Sequence, residues 1–305
     1  MKKLFVVVLL IAVNAMAYAK EYSPKLNLEK GKAYFLHVQA VADIEQELFG
    51  QTIEMENFTE EFSQYIVNEI TDSSYVIEAE YKYMGIGITT AQMDMQFKSN
   101  KKDSVGFMDK AMANMCDVPF TIHLHKDGHV IEVTGYERVM NGFMSALDEA
   151  PAQVKAMSES LSEQISGESK IKEFIETFTL AMPRQPVDIG EKWSRMATNA
   201  TLKTDYENNF TLMNANDNIY NIAGHSKFRT DTTNVIEING MPITYDMDVV
   251  TDIDMQIDRN TGWAVDIDFE QTMDGNLSVK TGPGETMESK MKSVNRTRIW
   301  NDFDY

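Results

Sequence analysis

Three histidines crowd one short stretch of the chain, His123, His125 and His129, and imidazoles so close together are a common starting point for a zinc site. Whether they converge depends on strand register, because successive side chains of a strand point to opposite faces. With Asp127-Gly128 as a two-residue hairpin loop, Leu124 faces Ile131, Ile122 faces Val133 and His123 pairs with Glu132. His123 and His125 then share one face, while His129 pairs with Lys126 and points to the other. This register does not predict three-histidine ligation. The imidazoles read as solvated strand residues, and neither a metal nor a cofactor is assigned.

A second group able to do chemistry is the carboxylate row Asp246, Asp248, Asp252, Asp254 and Asp258. Calcium loops gather several oxygens on a curved segment, with a glycine at the bend in the EF-hand case. Here Asp252-x-Asp254-x-Gln256 runs into Ile257, without that glycine or a bidentate glutamate at the right distance. A glycosidase-type acid/base pair stays open, because spatial separation identifies one, but nothing in the sequence selects a pair. Serine chemistry has no Gly-x-Ser-x-Gly elbow, Ser99-x-x-Lys102 and Ser289-x-x-Lys292 lie in hydrophilic stretches, and His-Glu-x-x-His is absent. No catalytic residue is assigned. The single cysteine, Cys116, is expected to pack in a core.

Methionine is the unusual component, 21 residues against 15 phenylalanines. Its flexible thioether fills irregular gaps and also lines surfaces that accept varied apolar partners. Met93, Met95, Met247 and Met255 fall in predicted strands, and Met140, Met144 and Met157 in predicted helices. If they are not ordinary core filling, these seven line an apolar cavity between sheet and helices.

The elements that must position these residues are mostly strands. From Tyr245 to Glu270 the alternation is strict: Tyr245, Met247, Val249, Ile253, Met255 and Ile257 against the aspartates, then Trp263, Val265, Ile267 and Phe269 after the turn Arg259-Asn260-Thr261-Gly262. This reads as a long hairpin with one apolar and one acidic face. Thr52 to Ile70 also fits a helix face through Phe58, Phe62, Ile66 and Ile70, but the Asp72-Ser73-Ser74 turn and the Tyr75-Val76-Ile77 run favour a strand. A short helix is expected around Phe107 to Met115. Apolar stripes predict three more, over Tyr136 to Leu147, Val154 to Ile165 and Ile171 to Phe178. Leu28-x-x-Gly31-x-x-Tyr34 matches Val187-x-x-Gly190-x-x-Trp193, and the two hairpins follow in the same order. The expected fold is α+β: a long, curved antiparallel sheet from two diverged β-rich halves, 20–135 and 183–305, with a helical insert, 136–182, on the concave face.

Residues 1–19 read as a secretory signal, with Met1-Lys2-Lys3, an apolar run from Leu4 to Val13 and Ala17-Tyr18-Ala19. Cleavage is expected between Ala19 and Lys20, giving a periplasmic or secreted product without a retained transmembrane helix. Loss of Lys2 and Lys3 takes the formal charge from -19 to -21. A surface so acidic repels phosphate backbones, so nucleic acid is not an expected partner.

The Leu26-x-Leu28-x-x-Gly31-x-x-Tyr34 start, the Phe49-Gly50-Gln51 turn, the Asp-Gly hairpin ahead of helices and Pro186-Val187-x-x-Gly190-x-x-Trp193 resemble an uncharacterised family of exported proteins from Bacteroidota-type bacteria. The resemblance implies no activity. Many such proteins look like lipoproteins; this chain has no cysteine at the cleavage site and is expected to be unlipidated. The architecture is also similar to open-barrel carriers of lipoproteins and lipids, an analogy of fold alone. The expected function is non-enzymatic binding or carriage of an apolar small molecule or lipid, or of a hydrophobic segment of an envelope protein. The alternatives are a structural or interaction module without a cavity, an envelope hydrolase, and an outer-membrane barrel, for which Ile299, Phe303 and Tyr305 alternate up to an aromatic terminus.

Overall fold

The alternation that dominates the sequence becomes one very large antiparallel sheet. The computed structural model describes residues 21–301 apart from 49, 101–105, 153, 156–157, 159–166, 239–240 and 283–284. In chain order the elements are β1 (Ala33–Leu48), β2 (Gln51–Ile70), β3 (Ser74–Thr90), β4 (Met93–Lys98), α1 (Phe107–Met115), β5 (Phe120–His125), β6 (Val130–Thr134), α2 (Tyr136–Ser145), α3 (Glu168–Thr179), β7 (Lys192–Asn199), β8 (Thr204–Ala215), β9 (Ile219–Arg229), β10 (Ile236–Ile238), β11 (Met241–Asp258), β12 (Ala264–Gly282) and β13 (Glu285–Trp300). Thr52 to Ile70 is strand, as the flanking turn and apolar run indicated. Most of the helix expected over Val154 to Ile165, Met157 and Leu161 included, lies outside the described residues.

The strand order is β6-β5-β3-β2-β1-β13-β12-β11-β9-β8-β7, with β4 added to β3 and β10 to β11. First and last strands pair at the middle, so the meander runs outward from the joined ends. Its edges are β6 and β7, and the sheet is open. No helix among the described residues is long and apolar enough to cross a membrane.

The matched motifs at Gly31 and Gly190 form the same turn twice. Both glycines adopt a left-handed φ, +79° and +86°, which a side chain would strain. The Gly31 N–H donates to the Val67 carbonyl and the Gly190 N–H to the Leu212 carbonyl, each at 2.7 Å. Val67 returns a bond to Lys32, and Leu212 one to Glu191. Each turn thereby aims a buried or half-buried aromatic, Tyr34 or Trp193, into the concave side at the start of its strand.

One face of the sheet packs under the helices. Trp263 is 1% exposed, with ring centroids 5.2 Å from Tyr34, 5.4 Å from Tyr65 and 5.2 Å from Phe178 on α3. Met112, Met115, Phe143 and Leu147, from the first two helices and the segment after them, are buried in the same core cluster. The opposite face is charged. Asp252 stands opposite Glu270 and Asp254 opposite Asp268, like-charge pairs that repel. Basic rows on the flanking strands offset them: Arg296 bridges Glu270 and Asp43, Arg298 holds Asp266, and Arg229 holds Asp246. The last strand's basic row thus pairs with the acidic strand before it, and the aspartates form a strand face.

Candidate functional site

The β5–β6 hairpin departs from the register read in the sequence. Ile122 does face Val133 and His123 does face Glu132, but a bulge after His123 brings Leu124 opposite Val130, leaving Ile131 exposed. The loop is longer by one residue. His125 donates its N–H to the His129 carbonyl at 2.9 Å and Gly128 donates to the His125 carbonyl at 2.9 Å. His125 and His129 therefore form a cross-strand pair on one face, which corrects the expectation that His129 pairs with Lys126. Gly128 permits this through a φ of +100°, a geometry the two-residue reading of Asp-Gly left out.

The imidazoles stack at 4.6 Å between centroids. His125 Nδ1 lies 2.7 Å and His129 Nδ1 2.6 Å from the same Asp127 oxygen. Burial opposes ionisation of Asp127, but hydrogen bonds from His129 and His125 outweigh it and hold the carboxyl at about 2.

This hairpin tip is fastened across the open seam of the sheet. Thr179 at the end of α3 donates its hydroxyl to the Gly128 carbonyl at 2.5 Å, and Arg195 on β7 donates to the carbonyls of Asp127 at 2.9 Å and Met182 at 2.8 Å. Helix α3 also supplies carboxylates to edge amides: Glu176 accepts the Val130 N–H at 2.8 Å and Glu173 the Ala200 N–H at 3.1 Å. Unpaired edge amides are costly unless covered. Burial raises the pKa of both glutamates, against the pull of Lys170 and the Ala200 amide on Glu173 and of the Val130 amide and Lys172 on Glu176. Beside the seam runs a polar groove of about 850 Å³ lined by Asp127, His129, Lys172, Glu176, Arg184 and Arg195 among others.

The concave face itself divides into bands when followed across the strand registers. Near the helices a rung of Ile222, Met255, Ile267, Ile299 and Val38 is apolar. Glu61 is its exception: it takes a hydrogen bond from Ser63, and burial raises its carboxyl to about 7. Farther along comes a polar rung, Ser226, Thr251, Gln271, Asn295, Ala42 and Asn57. Beyond it the face turns apolar again, with Phe228, Val249, Met273, Ser293, Ile44, Met55, Thr90 and Met93 in one continuous rung over eight strands. Asn208, Ser226 and Ser293 are each at least nine-tenths buried. The side-chain oxygens of these three, and of Asn57, have no hydrogen-bond partner among the described residues.

The methionines expected to line one cavity are distributed over these bands. Met255 belongs to the helix-covered core and Met247 to a separate buried cluster with Leu202 and Val249. Met93, exposed, and Met95, half-buried, lie on β4 at the far end of the face. Met140 is half-buried against the core from α2, and Met144 is exposed; Met157 lies outside the described residues. Between α3 and β8 the space narrows to about 10 Å³, beside Glu173, Tyr206 and Asn208, room for no more than one water. Sequence reasoning missed the polar rung and the second apolar band, for which the alternation of β12 and β13 carried a signal in Met273, Met287 and Met291.

Among solved structures the chain is similar to lipovitellin, in a structure of its lipid–protein interactions, with 8% identity and a TM-score of 0.52, over 90% of this chain and 25% of that one. The chain thus spans a quarter of lipovitellin, and the likeness concerns the fold. An outer-membrane channel from Pseudomonas putida F1 aligns at 7% identity and a TM-score of 0.24, over 91% of this chain and 97% of the channel. Curated proteins give no match. Residues 72–264, more than half of the chain, match a family of unknown function, DUF6263, and the chain belongs to that family.

Proposed function

We propose that this chain is a non-enzymatic binding or carrier protein of the cell envelope, exported through a signal cleaved near Ala19/Lys20, and that it holds an apolar or lipid-like ligand, or a hydrophobic partner segment, on the concave face. The observation that carries this reading is the pairing of bands. Orphaned oxygens on Asn57 and Ser226 in the polar rung, and on Ser293 within the apolar one, adjoin Val249, Met273, Ile44 and Met55. A buried polar group without a partner costs about 1–3 kcal/mol. An amphiphile relieves that cost by placing its ester or hydroxyl groups on the polar rung and its chain along the apolar one. Met93 and Met95 fall in this seat, whereas Met247 is fully buried in its own cluster with Leu202 and Val249 and Met255 belongs to the supporting core. Lipovitellin's association with lipid supports the reading by analogy.

The test is native mass spectrometry of protein purified from the periplasm without detergent, organic extraction of what travels with it, and titration with a fluorescent phospholipid. A stoichiometric lipid mass is expected, with uptake lost in Met273→Asp and retained in Asp274→Ala on the charged face. A bare polypeptide mass with no uptake by the wild type sinks the reading and leaves an interaction module.

A further inference from the structure

The hairpin tip offers chemistry that the concave face does not use. We infer that His125, Asp127 and His129 form a metal site for a divalent transition ion of the zinc class. One ligand atom from each lies within 4.8 Å of the other two. Two imidazoles and one carboxylate make a donor set suited to zinc, copper or nickel, whereas calcium and magnesium prefer all-oxygen shells. Three protein ligands are also the number that leaves a position free in catalytic zinc sites.

The backbone that carries the ligands is fixed in advance. Arg195 clamps the Asp127 carbonyl, Thr179 the Gly128 carbonyl, and Glu176 the Val130 amide. A Cβ at position 128 would lie 2.0 Å from the Thr179 carbonyl oxygen, so the tip sits directly on the end of α3. Tetrahedral bonds of about 2.0–2.1 Å put donor atoms about 3.3 Å apart. The present contacts of 2.7 and 2.6 Å lie within about 0.7 Å of that spacing, and the two imidazole donors, no more than 4.8 Å apart, draw together around an ion. The side chains are between a third and a half exposed, so an ion enters from solvent. Asp127 and His129 also line the polar groove beside the seam, and a further ligand, water or an anion drawn by Arg184 and Lys172, reaches the ion from there. His225, paired with Asp252 on the charged face, has no second imidazole and serves as the contrast.

The experiment uses the mature chain, stripped with chelator and equilibrated with Zn²⁺ alone, followed by metal counting and calorimetry. About one Zn²⁺ per chain is expected. The double variant His125→Ala/His129→Ala loses it, Asp127→Asn weakens it at least tenfold, and His225→Ala keeps it. Co²⁺ in place of Zn²⁺ gives visible d–d absorption in the wild type and none in the double variant. Circular dichroism checks that each variant folds. His129→Ala alone, which removes a nearly half-exposed ring, stands in if Asp127→Asn does not fold. Absence of bound zinc in the wild type, or equal binding by the double variant, overturns the assignment. The outcome is independent of lipid uptake, which concerns another face of the sheet.

Discussion

The same strands carry two apolar fields on one concave face, and the fields differ in how they are finished. Near the helices, Trp263, Tyr34, Tyr65 and Phe178 interlock and leave Trp263 1% exposed. At the far end Met55, Met273 and Met291 are only half-buried and Met93 is exposed, although the alternation that produces them is the same. Rigid aromatics in tilted and edge-to-face contact specify one packing, whereas methionines adapt to what they meet. The contrast assigns support to the first field and adaptable contact to the second.

The largest effect should come from breaking the finished field. Trp263→Ala should cost about 3–5 kcal/mol, seen as a large drop in urea midpoint without a change in slope. A loss under about 1 kcal/mol would mean that the aromatic cluster is not what holds helices to sheet.

Next comes the carboxylate within that field. Glu61 lies among Ser63, Tyr65, Tyr81 and Tyr136, and burial raises it from 4.5 to about 7. The folded state then keeps a proton that the unfolded state releases above pH 4.5. Its contribution is fully present below that pH and is lost as pH rises toward and through 7, by up to about 3 kcal/mol. Urea midpoints at pH 5 and pH 8 should differ in the wild type and converge in Glu61→Gln. Equal pH slopes in both proteins would place the Glu61 carboxyl in water.

Alternation in the sequence was enough for the sheet, because period-2 patterning in Tyr245 to Glu270 fixes faces locally and the Gly31 and Gly190 turns repeat in spacing. The clustering of His125, Asp127 and His129 was not legible. A single bulge after His123 decides whether His129 meets His125, and what stabilises it, contacts of Gly128 with Thr179 and of Asp127 with Arg195, comes from residues 51 and 68 positions away in the chain. The methionine reading failed to resolve bands for a related reason. Residue type placed Met247 and Met255 on one face, but only register across β9 to β13 shows the polar rung at Thr251 between them. Glu173 and Glu176 read as ordinary polar positions of an amphipathic helix, and their use as partners for edge amides depends on an open seam that no local pattern encodes.

The smallest effect sharpens the comparison most. Met291 is half-buried, packed beside the Met247 and Leu277 clusters, and pairs in register with Gly275 and Gln46. With a glycine on one side, little side-chain volume depends on it. Met291→Ala should therefore cost about 1 kcal/mol, below the 2–5 kcal/mol typical of a fully buried methionine. The ligand-free protein is the proper reference, since anything bound to the folded state adds its own stabilisation. In the presence of saturating phospholipid the difference between wild type and variant should widen, because the variant forfeits contact with the ligand as well as packing. A loss comparable to that of Trp263→Ala in the lipid-free protein would show the far field to be core of the same kind, and the division between support and contact would fall.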